Sequence, residues 1–242
     1  MKSSRTIRSR GFTLLETVIA IGVLAVLLTG FIVVFTPAAA GIRKSINVQE
    51  SDRLASALEQ ELVTPRTGDK TGFDKAYKMI IGSNTAAKAI LVYQYRGDLK
   101  SSARSDGTSQ PVSNIQGKSP GSEYVVIPMA RAMDDPLINE DLTAIEGSVF
   151  LVKCTQLVFA APAAGTGLIL GTPGQIKDPK DITGAGPAIA NSDLYPEAVV
   201  AFAADFHMLP SKAPSFFSGG AFAAAFSKAK NPVFSRNLAV RR

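Results

Sequence analysis

The chain has 242 residues, enough for one domain on a stalk or for two small domains. Of its formal charge of +6, Lys2, Arg5, Arg8 and Arg10 all precede Gly11 with no acidic residue among them, leaving 22 (26 less 4) basic against 20 acidic residues. That near balance, with no basic run interleaved with aromatics downstream, argues against specific nucleic-acid binding, and a single cysteine, Cys154, excludes an intramolecular disulfide.

Behind the basic start comes Gly11-Phe12-Thr13-Leu14-Leu15-Glu16, and then no charge from Thr17 to Ile42, a run of 26 residues. As a helix this run is roughly 39 Å long, enough to cross a hydrocarbon core of about 30 Å. The Lys/Arg excess holds the leading end on the cytoplasmic side. Glu16 is the residue that needs explaining. A carboxylate at the mouth of a membrane span costs a few kcal/mol or more, so it implies a partner, and the basic residues nearest to it are Arg10 and Arg43. Gly22, Thr29 and Gly30 lie inside the run and permit close helix approach in lipid.

The basic leader, the Gly11-Phe12 step, Glu16 and the apolar run, in that order, resemble the N-terminus of type IV prepilins and type II secretion pseudopilins. The resemblance covers roughly the first 60 residues. It implies a leader over residues 1–11, cleavage between Gly11 and Phe12 by a membrane prepilin peptidase/methyltransferase, and N-methylation of Phe12. It places Glu16 where the family uses a glutamate to neutralise the N-terminal amine of a neighbouring subunit during assembly. It also implies the remaining partners: other pilin or pseudopilin subunits, an inner-membrane assembly platform and the lipid bilayer. The expected location is the bacterial inner membrane, single-pass, with the N-terminus cytoplasmic and the rest outside, or a cell-surface or periplasmic filament assembled from there. A competing reading takes Pro37-Ala38-Ala39-Ala40-Gly41 as a signal-peptidase site, giving a soluble exported binding protein cleaved after Ala40. Its apolar region, Thr17 to Thr36, would be 20 residues against the usual length of about 7–15.

After a span over residues 12–41, residues 42–63 turn amphipathic. Ile42, Ile46, Leu54, Leu58 and Leu62 recur at multiples of four, with charged residues on the other faces. Pro37 and Gly41 mark the expected weak point between the two halves, and Pro65 the end of the helix. Residues 64–242 read as an exported β-rich globular domain. Strands are expected at 89–95, 124–129, 148–160, 198–206 and 233–240, with long loops over 96–122 and 161–191 and a turn at Asp134-Asp135-Pro136. The fold class that results is α+β: a long N-terminal helix, membrane-spanning and then amphipathic, packed on an antiparallel β-sheet with long loops, in the manner of a pilin.

No catalytic constellation stands out, and the expectation is a protein that is not an enzyme and uses no cofactor or metal. His207 is the single histidine and has no nucleophile motif around it. Cys154, in a β-type run, reads as a small buried hydrophobe. The glycines at 165, 167, 171 and 174 lack the Gly-Lys-Ser/Thr ending of a phosphate loop. Asp178 and Asp181 alternate with Lys177 and Lys180, which opposes a calcium site. Phe216, Phe217, Phe222 and Phe226 form either an apolar surface or core.

Overall fold

The computed structural model describes residues 13–66, 69–160, 167–181, 183 and 185–242. The chain divides into two compact units, Met1–Ile46 and Asn47–Arg242, with the boundary inside the first helix, α1 (Leu14–Val63).

In the first unit α1 is apolar all round and its side chains are exposed, Leu14 by 84% and Val34 by 68%. A helix with no polar face is stable where its surroundings are apolar too. Over this stretch α1 is long and apolar enough to cross a membrane. The weak point expected at Pro37 and Gly41 is not a break: α1 continues through both. Proline removes one backbone donor without ending the helix, and the hydroxyls of Thr29 and Thr36 back-bond to Ala25 O and Ile32 O at 2.8 Å.

The second unit is the expected α+β arrangement. Its strands are β1 (Ile90–Asp98), β2 (Tyr124–Ala132), β3 (Ile145–Phe159), β4 (Leu168–Leu170), β5 (Val199–Met208) and β6 (Phe234–Arg241). All pairings are antiparallel, in the order β2-β1-β3-β5-β6, with the short β4 on β3. One face of the sheet meets Leu54, Leu58 and Leu62 of α1, together with α2 (Gly72–Gly82). Of the stripe read from the sequence, Leu54, Ala55, Leu58 and Leu62 are fully buried, whereas Ile42 and Ile46, in the first unit, stay exposed. The other face is covered by α3 (Ile138–Asp141), α4 (Pro214–Ser218) and α5 (Gly220–Lys228). Phe217 and Phe222 are 7% and 4% exposed, which assigns them to core.

Helices α2, α4 and α5 and the strand β4 depart from the sequence reading. Helix α2 lies in a stretch that reads as interrupted by Gly72 and Gly82, but those glycines are its first and last residues. Thr71 caps it by accepting from Asp74 N at 3.1 Å. Gly72 is required there, because a Cβ would stand 2.2 Å from Val63 O. Helices α4 and α5 are split by Gly219, and β4 is only three residues long, within a stretch expected to be irregular.

Loop 99–119 is tied to the sheet by buried charge. Arg131 on β2 donates to Asp141 at 2.7 Å, to Asp106 at 2.7 Å and to Asp135 at 2.8 Å, while Tyr93 donates to Asp141 at 2.6 Å. Arg104 lies 2.8 Å from the same Asp141. Burial opposes ionisation of Asp106, but hydrogen bonds from Thr108 and Arg131 outweigh it and hold its carboxyl well below the usual range. Burial likewise opposes the charge on Arg131, and its carboxylates, Asp141 first, more than restore it.

Candidate functional site

The start of α1 is a capping box. Thr13 stands at the N-cap and Glu16 at the third helical position. The Thr13 hydroxyl accepts from Glu16 N at 3.2 Å, and Glu16 Oε2 accepts from Thr13 N and from Thr13 Oγ1, both at 2.9 Å. Two backbone donors that the helix leaves unpaired are thereby satisfied. Glu16 also complements the positive end of the helix dipole. Its second oxygen, Oε1, has no donor among the described residues. Within the chain, the hydrogen-bond partner of Glu16 is Thr13, three residues before it, and the Thr-x-x-Glu spacing ahead of an apolar run is the signal that marks it. Gly11 and Phe12 lie outside the described residues.

Along the apolar part of α1, a Cβ placed at Gly22, Gly30 or Gly41 would meet nothing within 4 Å, so these glycines leave open notches on the helix surface. Phe31 and Phe35 stack at 4.2 Å on the same helix.

The second unit offers little for chemistry. His207 is 6% exposed, and its Nδ1 has no hydrogen-bond partner among the described residues. Burial, then the charge of Lys153, push its pKa down, so the imidazole is neutral near pH 7. Lys153 itself donates to Phe226 O and Ala229 O at the C-terminal end of α5 and sits 4.4 Å from the centre of the Phe226 ring. Cys154 is fully buried and its thiol is pushed up to about 12 by that burial, the opposite of an activated thiolate. Asp181 spends its carboxylate on Thr183 and on Gly186 N, and no three His, Cys, Asp or Glu side chains converge on a metal position among the described residues.

The chain was compared with known proteins. No curated protein and no solved structure matches it. Residues 7–32 match the prokaryotic N-terminal methylation motif. This match takes in Arg8 and Arg10, the Gly11-Phe12 step, the Thr13–Glu16 capping box and the apolar run as far as residue 32: the chain carries the prepilin-type N-terminal signature.

Proposed function

We propose that this chain is a structural subunit of a type IV pilus or type II secretion pseudopilus. In this reading it is cleaved after Gly11, methylated on Phe12 and assembled through its N-terminal helix. The observation that carries the reading is the methylation motif over residues 7–32, with Glu16 held at the third position of a helix apolar enough to span a bilayer. Residues 12–41 then form the span and filament core, residues 42–63 its amphipathic continuation, and residues 64–242 the exported domain. The prepilin peptidase/methyltransferase, sister subunits and an inner-membrane platform are its partners. The size of the outer domain and its long loops favour a minor or specialised subunit.

Thr13 engages only Oε2 of Glu16, which leaves Oε1 for a neighbour's N-terminal amine. Two charges that are each costly in lipid then cancel on docking. The intact mass of the protein isolated from membranes tests this directly. A chain beginning at methylated Phe12 is expected, and a chain beginning at Gly41 would make the product soluble and remove the proposed role of Glu16. Glu16→Ala is expected to leave cleavage intact and to impair incorporation into filaments, read by shearing filaments from cells and measuring the variant's share; normal incorporation would sink the charge-pair account.

A further inference from the structure

The two edges of the sheet are treated differently. At the β2 edge, Met133 N donates to Ala89 O, and with the β1–β2 register this turns the N–H groups of even-numbered β2 residues outward. Pro128 is one of them and has no N–H, and the outward carbonyl of Tyr124 is already taken by Gly121 N. A proline and a folded-back turn are common guards against strand addition.

The β6 edge has no such guard. Arg242 N donates to Ala198 O, so with the β5–β6 register the even-numbered residues of β6 pair with β5. Ser235, Asn237, Ala239 and Arg241 therefore point their N–H groups outward, with no backbone partner among the described residues. Beside this edge, between β6 and the end of α1, runs a mostly apolar groove of about 380 Å³, with Leu62, Val63, Leu238 and Val240 in its lining beside Gln60 and Glu59, the latter already paired with Arg236. A strand laid along β6 would put alternate side chains over that groove and the others beside Asn237, Ala239 and Arg241, on the opposite face.

Charge says what kind of strand fits. After Asp205 the sequence has no acidic residue, while Lys212, Lys228, Lys230, Arg236, Arg241 and Arg242 give residues 206–242 six positive charges. Arg236 is balanced by Asp52 and Glu59, each at 3.6 Å, but Arg241 is exposed and unpaired among the described residues. In the fully overlapped antiparallel pairing of two β6 edges, Arg241 would face Ser235 of the second copy, so self-pairing supplies the arginine with no counter-charge. Nor does this chain have a suitable acidic strand to lend: its densest acidic stretch, 134–141, is folded, with Ile138 and Asp141 buried.

From the free edge, the apolar groove and the unopposed basic charge, we propose that β6 is a docking site for an extended segment of a different polypeptide, in which apolar residues alternate with acidic ones. Main-chain bonds to the outward groups of β6 supply affinity, the groove takes the apolar side chains, and Arg241 selects the acidic ones. The site rests on the second unit alone and stands whether or not the N-terminus is processed as proposed above.

The test uses the full chain in detergent micelles and a fluorescent nine-residue peptide alternating glutamate with valine, with a lysine-for-glutamate peptide as control. The acidic peptide is expected to bind at least ~10-fold more tightly than the control, a difference of about 1.4 kcal/mol. Ala239→Pro, which deletes an outward N–H without touching the β5–β6 bonds, and Arg241→Glu are each expected to weaken it by about 10-fold or more. Thermal unfolding of Arg241→Glu should match the wild type, so that loss in this variant reads as a lost site even if the proline disturbs the strand. No binding of the acidic peptide, equal binding of both peptides, or binding indifferent to both variants overturns the proposal. So does sedimentation showing self-association that Ala239→Pro abolishes, because the edge would then belong to a second copy.

Discussion

Thr13 and Glu16 satisfy each other's polar groups at the point where α1 begins, so either substitution should be felt by both. Thr13→Val keeps the shape of the side chain and deletes the hydroxyl. A lost N-cap costs about 1 kcal/mol, and amide exchange in the first turn of α1 in micelles should quicken by roughly 5-fold, with Thr13→Ser restoring protection. Gly147 is a second residue with little latitude. Its φ of +71° is a left-handed conformation, and a Cβ there would stand 2.7 Å from Glu50 Oε1, which accepts from Ser148 N. Gly147→Ala therefore carries both backbone strain and displacement of Glu50. A loss of about 1–3 kcal/mol in urea unfolding is expected, and Gly107→Ala, whose Cβ meets nothing within 4 Å, serves as the comparison that shares the strain alone.

At the scale of elements, the second half of α1 depends on a few side chains. Leu58 is fully buried between the helix and the sheet, and Leu58→Ala is expected to cost about 2–5 kcal/mol by equilibrium unfolding, against a negligible change for the exposed Arg53→Ala. The parts of the fold that can be read from sequence are those with a strong period or a strong composition. Leu54, Leu58 and Leu62 announce a helix face, and the Val/Phe/Leu-rich run around Cys154 announces the central strand β3. Helix α2 escapes such a reading because its glycines look like interruptions, and only the Thr71–Asp74 cap would have revealed them as ends. Helices α4 and α5 escape it because alanine and phenylalanine among glycines carry no clear stripe. They form once Phe217 and Phe222 have a sheet face to cover, and that face is tertiary information. Of the N-terminal site, the sequence carries Glu16 openly, whereas Thr13 is legible only to someone counting three residues back.

Across the second unit as a whole, the buried charge cluster makes stability depend on acidity. The Asp106 carboxyl ionises more readily in the folded protein than at the unfolded value of about 3.9. Its contribution is therefore complete above that value and is lost as pH falls through it towards the lower folded value. The melting temperature should hold from pH 7 to about pH 5 and fall below pH 4; a flat profile down to pH 3 would show that the cluster does not couple to folding. Asp141→Asn, which breaks a fully buried set of pairs with Arg104 and Arg131, should cost about 3–5 kcal/mol at neutral pH.

The single cysteine has a use that concerns observation more than stability. Because Cys154 is sealed in the core with its thiol held protonated, an alkylating reagent reaches it only when the sheet opens. The rate of its modification is then a clock for global opening, set by the protein itself and needing no added label. Run on intact cells, the same clock would report when the domain closes, and whether docking with another molecule slows its opening.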